Sequence, residues 1–274
     1  MSYLSKKIIL LIAFIYTTPI FGFEITSEIK EGALIFGTLE KGEKLFIGNT
    51  QIKSNPDGVF FFGLPQDTEK LTLKLIKNNQ TKLKNFNVQK EKWQEEYITG
   101  LQPEKVLPSQ KNTERIKKEN NLIKKARASF NTNYFPICFE RPVKKYKRIS
   151  SPFGARRILN NIKKAGHSGT DYAAPIGTKI YAPAKGIIAL VHNDMFLSGK
   201  TLLINHGYGL FSSYSHLNNI LVKEGDVVNQ GDIIAEIGTT GRSTGPHLHY
   251  AITWMGVRLN PEQQINDFSC KKIK

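Results

Sequence analysis

The sequence predicts a mainly β protein: a small N-terminal β-sandwich-like domain, a helical linker and a C-terminal antiparallel β-domain. Short apolar runs beside glycine or proline recur along most of the 274 residues, which is the pattern of strands separated by turns. The run Leu71–Ile76 alternates between apolar and polar side chains, as a half-buried strand does. Helical spacing of apolar residues is confined to one stretch near residue 120.

Residues 1–22 have the composition of an export signal peptide. Lys6 and Lys7 precede the apolar run 8–16, and Gly22 is a small residue at a suitable cleavage point. The run is shorter than the roughly 20 residues that a membrane-spanning helix needs, so we expect cleavage and export. Retention of this segment as a membrane anchor is the alternative.

Residues 23–100 are predicted to form an accessory β-domain, a sandwich of five to seven strands. The tripeptide Pro-Asp-Gly at 56–58 indicates a turn before the apolar run 59–62. The pair Asn-Asn at 78–79 indicates a second turn between two strand-like segments. No arrangement of side chains in this part of the sequence predicts catalysis.

Residues 101–130 are predicted to be a helical linker. Between Glu114 and Ala128 the chain is rich in lysine, glutamate, leucine and isoleucine, and its apolar residues recur at roughly helical spacing. We expect one amphipathic helix, whose lysines form a solvated face rather than a binding patch.

Residues 131–274 are predicted to form the C-terminal β-domain, because apolar runs again alternate with glycine-bearing turns. The clearest strands are 187–191, 202–205, 209–214, 233–237 and 249–254. In such a domain, function is carried by strand ends and loops.

The chain has two cysteines, Cys138 and Cys270. An exported compartment permits a disulfide, and this one would tie the start of the C-terminal domain to its end, a stabilisation of about 2–4 kcal/mol. Two free or buried thiols are the alternative, since two cysteines alone fix no geometry. Neither cysteine has a partner at ligand spacing, so they are not predicted to bind metal.

The chain is strongly basic, with 39 basic and 23 acidic side chains and a formal charge of +16. Removal of residues 1–22 takes away two lysines and no acid, which leaves +14. This charge favours polyanionic partners such as wall polymers or anionic lipid headgroups. Export argues against nucleic acid, and ordinary solubility is the alternative explanation.

Two short motifs supply candidate metal ligands. His167 and Asp171 are four residues apart with Gly169 between them, which places both on one side of a strand or of a turn. His247 and His249 are two apart and point to the same face of a strand, so either both reach one centre or one binds metal while the other faces substrate. His167, Asp171 and His249 together make three ligands with a fourth position open, as in catalytic zinc sites.

Residues 146–262 resemble the lysostaphin/LytM-type zinc metallopeptidases, which cut peptide cross-links in bacterial cell walls. Several motifs in the same order carry the resemblance. They are Ser151-Pro-Phe-Gly154 with Arg156, His167-Ser-Gly-Thr-Asp171-Tyr172, Ala182-Pro-Ala-Lys-Gly186, His206-Gly-Tyr-Gly209, Ser213-Tyr-Ser-His216-Leu217, Val222-Lys-Glu-Gly-Asp226 with Gly231, and Gly238-Thr-Thr-Gly241-Arg-Ser-Thr-Gly-Pro-His247-Leu-His249.

The resemblance implies one Zn²⁺ per chain, bound by His167, Asp171 and His249. His216 and His247 then line the site without binding the metal. Zinc lowers the pKa of a bound water to about 7 and polarises the scissile carbonyl. We expect His247 to act as general base and His216 to stabilise the negative oxygen or protonate the leaving amine, and the sequence allows the two roles to be exchanged.

Four further residues are candidates for holding substrate. Tyr172 and Tyr214 neighbour the motif residues and could hold substrate or support the metal ligands, with packing as the alternative. Arg156 and Arg242 are candidates for contacting a carboxylate of the wall peptide. Through Gly32-Ala-Leu-Ile-Phe-Gly37, Pro56-Asp-Gly58 with Phe61-Phe-Gly63, and the charged helix, the N-terminal half also resembles the front portion of exported peptidases of this group in Gram-negative bacteria. This predicts the periplasm as location, or the inner membrane if residues 1–22 are retained.

The sequence therefore predicts an exported zinc metalloendopeptidase that acts on peptidoglycan peptide stems, with the D-alanyl–diaminopimelate cross-link as the expected bond. A non-catalytic regulator that activates a cell-wall amidase is the alternative from another class. A general extracellular protein-degrading enzyme is a third hypothesis. All five motif residues are present, whereas inactive relatives lose one or more, which favours the enzyme.

Overall fold

The computed structural model describes residues 21–136 and 138–267. The expected signal peptide therefore lies outside the described residues, apart from positions 21 and 22. Cys270 also lies outside them, so its disulfide with Cys138 stays a prediction. Within the described ranges, no helix has the length and apolar character needed to cross a membrane.

The N-terminal half is made of short strands. They are β1 (Glu24–Ile25), β2 (Leu34–Thr38), β3 (Lys44–Ile47), β4 (Thr50–Ile52), β5 (Val59–Gly63), β6 (Lys70–Lys77), β7 (Gln80–Asn87) and β8 (Glu95–Ile98). The first seven form two antiparallel sheets with strand orders β1-β2-β5 and β4-β3-β6-β7. Leu45, Phe60 and Leu73 are completely buried in one core between these elements. The mainly β prediction is confirmed for this half.

The predicted turn between β6 and β7 is confirmed. Asn78 and Asn79 have φ angles of 49° and 61°, and their neighbours Lys77 and Gln80 pair across the hairpin. Two left-handed residues are what a two-residue hairpin turn requires, and asparagine tolerates that conformation better than most residues.

Two helices follow, α1 (Pro103–Val106) and α2 (Gln110–Arg127). The second begins four residues before the predicted helix, because Ser109 caps it and accepts a hydrogen bond from the Asn112 N–H at 3.4 Å. Its residues Ile123 and Ala126 pack against Leu190 and other buried residues of the C-terminal half. This helix is therefore packed on a sheet rather than suspended between two domains.

The C-terminal half is built on one large antiparallel sheet. The elements of this half are β9 (Arg148–Ser151), β10 (Arg156–Leu159), β11 (Ile162–Lys163), β12 (Thr170–Ala173), β13 (Lys179–Tyr181), β14 (Gly186–Met195), β15 (Gly199–Asn205), β16 (Leu210–Ile220), β17 (Val227–Val228), β18 (Ile233–Ile237), β19 (His247–Trp254), β20 (Val257–Leu259) and α3 (Pro261–Asp267). The sheet has the order β17-β14-β15-β16-β19-β12-β9, and β20, β18 and β13 extend it. The predicted antiparallel β-domain is confirmed.

One strand that lies before the predicted boundary at residue 100 pairs with a strand that lies after it. β8 comes from the N-terminal half but pairs in parallel with β10 of the C-terminal half, with Glu96 opposite Arg157. A single cluster of buried apolar residues also contains side chains from both halves. The division into domains at residues 100 and 130 stays a prediction, but the two halves are joined by strand pairing and by a shared core.

Candidate metal and catalytic site

Strand pairing positions the candidate ligands. β12 and β19 are neighbours, and their register sets Asp171 directly opposite His249, so both side chains project from the same face of the sheet. His167 lies just before β12. Its N–H donates to the Ala155 carbonyl and its own carbonyl accepts from the Gly154 N–H, both at 2.9 Å, which fixes its backbone beside the other two residues.

The donor atoms of these three side chains lie within 4.8 Å of one another. Asp171 Oδ1 is 2.7 Å from His249 Nδ1 and 3.1 Å from His167 Nε2, and the two nitrogens are 2.9 Å apart. Two imidazole nitrogens and one carboxylate oxygen are ligands that zinc prefers, and three protein ligands leave one position open. The donor set therefore fits a catalytic zinc site.

Hydrogen bonds on the far side of His167 set its tautomer. Its Nδ1 lies 2.9 Å from the Pro152 carbonyl oxygen and 2.9 Å from Ser151 Oγ. A carbonyl only accepts, so Nδ1 carries the proton and donates. Nε2 is then left as the lone-pair nitrogen, and it is the one that faces Asp171 and His249.

Arg157 is a site residue that sequence reasoning missed. Its Nη2 donates to Asp171 Oδ2 at 2.8 Å and to Ser151 Oγ at 2.7 Å. Its neighbour Arg156, which was predicted to hold substrate, is exposed on β10. The guanidinium thus binds the carboxylate oxygen opposite the one that faces the two ligand histidines.

His216 and His247 stand beside the ligand cluster with their rings 4.7 Å apart between centroids. His216 Nδ1 donates to the Thr240 carbonyl at 2.7 Å, and His247 Nδ1 donates to the Gly245 carbonyl at 2.8 Å. Both rings therefore offer Nε2 for proton transfer. His247 Nε2 is 3.9 Å from Asp171 Oδ2.

The backbone at His216 is bent to aim its ring at the cluster. Its φ is 63°, which costs a non-glycine residue about 1–2 kcal/mol. At this point β16 stops pairing with β19, at Ser215, and starts pairing with β18, at Leu217. The irregularity between the two pairings lies at His216, so its side chain does not follow the alternation of faces along the rest of the strand.

Burial and mutual charge perturb the site. Burial alone would raise the pKa of Asp171, but the charges and hydrogen bonds of His167 and His249 lower it well below its ordinary value. Burial lowers the pKa of His249, against the attraction of Asp171. Burial, helped by repulsion from His247 and His249, lowers the pKa of His216 to about 3. Burial and charge therefore favour an ionised Asp171 carboxylate and neutral imidazoles at His216 and His249.

Tyr172 and Tyr214 do not contact the open side of the site, which corrects the substrate-binding prediction. Both side chains are 0% exposed. Tyr172 follows Asp171 in β12 and so points to the opposite, core face, where its hydroxyl donates to Glu262. The Tyr214 hydroxyl hydrogen-bonds Ser212 Oγ at 2.8 Å. Packing, the alternative interpretation, describes both residues.

Arg242 lies in the turn between β18 and β19, next to the segment that carries the two helices. Its N–H donates to the Leu197 carbonyl at 2.7 Å, and its Nη1 donates to the Lys105 carbonyl at 3.3 Å. Burial and the nearby charge of Arg157 lower its pKa. Arg242 lies two residues after Thr240, whose carbonyl accepts from His216, whereas substrate contact by Arg156 or Arg242 stays a prediction.

Comparison with known proteins adds an independent finding. Residues 165–261 match peptidase family M23. Peptidoglycan DD-endopeptidase ShyA of Vibrio cholerae is 43% identical over 124 residues, which cover 44% of this chain and 29% of that protein. DD-carboxypeptidase/endopeptidase Mpg of Neisseria meningitidis is 43% identical over 118 residues, 42% of this chain and 26% of that protein. The chain thus spans less than a third of these curated relatives.

A solved structure covers more of the chain. A Pseudomonas aeruginosa protein assigned to peptidase M23 superposes with a TM-score of 0.68 at 26% sequence identity. The alignment covers 88% of this chain and 97% of that one. The shared fold therefore includes most of the N-terminal half as well as the sheet that carries the site.

Proposed function

Because residues 165–261 match peptidase family M23, we propose that this chain is an exported zinc metalloendopeptidase that hydrolyses peptide cross-links of bacterial peptidoglycan. The relatives named DD-endopeptidase support the D-alanyl–diaminopimelate bond as the one cut. The proposed location is the periplasm, where the positive charge of the chain favours an anionic wall or membrane surface.

One observation carries the proposal. Three donor atoms, from His167, Asp171 and His249, converge within 4.8 Å, and two further histidines stand beside them with Nδ1 already engaged. A purely structural zinc site uses four protein ligands and needs no neighbouring base. The arrangement therefore supports hydrolysis.

Each of the five site residues has its own role in the proposed reaction. When bound by His167, Asp171 and His249, zinc would polarise the scissile carbonyl and activate a water. His247 is the proposed general base, since its Nδ1–H is held by the Gly245 carbonyl and Nε2 is left to accept the proton. The proton that His247 takes from the water must reach the leaving amine, and His216, whose Nδ1 is held in the same way by Thr240, is proposed to accept it from His247 on Nε2 and pass it to that amine.

A non-catalytic regulator, the alternative from sequence, needs none of these groups. Retention of all three ligand side chains and both flanking histidines in one cluster favours the enzyme.

The test is digestion of purified sacculi with the full chain, with and without a chelator, followed by mass spectrometry of the released fragments. We expect peptide stems cut between D-alanine and diaminopimelate, and no release after chelation. The His216→Ala variant serves as the inactive control. Fragments cut at a glycan bond, or at the amide to muramic acid, would contradict the proposal.

A further inference from the structure

We infer that Glu96, on the strand contributed by the N-terminal half, is a positioning residue for the metal ligands His167 and Asp171. The inference rests on the proposed zinc site. It gives β8 a role in the site that its place in the sequence, before both helices, does not suggest.

The first link runs from Glu96 to His167 through one serine. Ser151 Oγ donates to Glu96 Oε2 at 2.5 Å. The single hydroxyl proton of Ser151 is thereby committed to the carboxylate, so its oxygen can only accept from Arg157 and from His167 Nδ1. Together with the Pro152 carbonyl, which also accepts from His167 Nδ1, Glu96 in this way keeps the proton on Nδ1 and leaves Nε2 available as the metal ligand.

The second link runs from Glu96 to Asp171 through Arg157. Glu96 Oε2 is 3.5 Å from Arg157 Nε, and Arg157 Nη2 is 2.8 Å from Asp171 Oδ2. The side chains of Glu96, Arg157 and Asp171 are only 16%, 15% and 8% exposed, so solvent screens these charges weakly. With Glu96 on one side and Asp171 on the other, the guanidinium is held between two carboxylates.

Strand pairing explains why Glu96 reaches this position and Glu95 does not. In the parallel pairing of β8 with β10, Glu96 lies opposite Arg157. Glu95 precedes it on the same strand, faces the other way and is exposed. The two adjacent glutamates therefore form a matched pair for experiment, with equal charge on the same strand.

The experiment measures metal affinity rather than turnover. Zinc and cobalt affinities of the full chain are measured by competition with a chromophoric chelator, for the wild type, Glu96→Gln and Glu95→Gln. Residues that hydrogen-bond metal ligands typically change metal affinity by about 10–100-fold. Because Glu96 reaches the ligands only through Ser151 and Arg157, we expect a loss at the lower end of this range in Glu96→Gln, a shifted visible spectrum of its cobalt form, and no change in Glu95→Gln.

A double-mutant cycle shows whether Glu96 acts through the serine. Ser151→Ala breaks the link to His167, so Glu96→Gln combined with Ser151→Ala should lose clearly less affinity than the two single losses multiplied. Thermal unfolding of the chelated proteins identifies any variant that fails to fold, and Glu96→Asp then replaces Glu96→Gln and should weaken zinc binding in the same direction.

Fully multiplicative losses in the cycle would overturn the link from Glu96 to His167. Unchanged zinc affinity in a folded Glu96 variant would overturn the inference while leaving the proposed function intact. A wild type that binds no zinc would overturn both.

Discussion

Asp171 and His249 lie directly opposite each other on two adjacent antiparallel strands, with Asp171 Oδ1 2.7 Å from His249 Nδ1. His167 Nε2 completes the cluster at 3.1 Å from the same carboxylate oxygen. The register of the sheet therefore assembles two of the three candidate ligands, and the third arrives from the segment just before one of the strands.

Loss of a ligand should abolish metal binding. We expect about one zinc per wild-type chain and none in His167→Ala or Asp171→Ala, because two remaining ligands hold zinc weakly. Elemental analysis of the purified proteins measures the content. His192→Ala, on β14, is the control and should keep its zinc, and a wild type without metal would contradict the prediction.

Loss of either flanking histidine should separate binding from hydrolysis. His216→Ala and His247→Ala should retain zinc but lose hydrolysis of sacculi by roughly 10²–10⁴-fold, the usual contribution of a general acid or base. Zinc content and rate of fragment release are measured on the same preparations. Undiminished turnover in both variants would remove the roles assigned to them.

The adjacent arginines of β10 should differ in their effect on stability. Arg157→Gln leaves the buried Asp171 carboxylate without this cation, so we expect the chelated protein to lose about 3–5 kcal/mol of unfolding free energy. Arg156→Gln, at an exposed position, should change it by less than about 0.5 kcal/mol. Denaturant unfolding of the metal-free proteins measures both, and equal losses would argue against the ion pair.

Tyr172→Phe should change stability and not substrate binding. The variant removes the hydrogen bond to Glu262, which is worth about 1–2 kcal/mol in the core, while the ring stays in place. KM for a cross-linked peptide substrate should equal that of the wild type. Tyr97→Phe, 70% exposed, is the control for stability, and a raised KM in Tyr172→Phe would restore the substrate-binding role.

His206 should make the fold sensitive to acid. Burial lowers the pKa of His206 from 6.5 to about 4, against the hydrogen bond to the Lys185 carbonyl, which raises it. Above pH 6.5 the histidine is neutral in both the folded and the unfolded state. As the pH falls from 6.5 toward 4, only the unfolded state takes up a proton, so the free energy of unfolding decreases. Between pH 7 and pH 5 the loss amounts to about 2 kcal/mol.

Urea unfolding of the chelated wild type and of His206→Gln across this range measures that effect. The variant should have a flatter pH dependence than the wild type. Parallel pH profiles for the two proteins would contradict the prediction.

Motifs predicted the centre of the site, and local periodicity could have predicted more. His247 and His249 share a face because they are two apart in a strand, and the same alternation places Tyr172 on the face opposite Asp171. The burial of Tyr172 was therefore predictable once the strand was recognised.

The supporting residues were not predictable in this way. Arg156 and Arg157 are adjacent and chemically equal, and only the pairing of β10 with β8 and the path to β12 determine which of them meets Asp171. Glu96 is separated by 55 residues from the serine that it contacts. A local sequence pattern cannot predict a contact between residues this far apart in the sequence, because the contact depends on the assembled fold.

The pairing of β8 with β10 also affects how the protein unfolds. The strand belongs to one half by sequence and to the other by hydrogen bonding, and the apolar core is continuous between them. Unfolding of the N-terminal half pulls this strand away and uncovers the edge of β10. We therefore expect a single cooperative melting transition rather than two, and slow refolding, because strands about 60 residues apart must meet before the edge is closed.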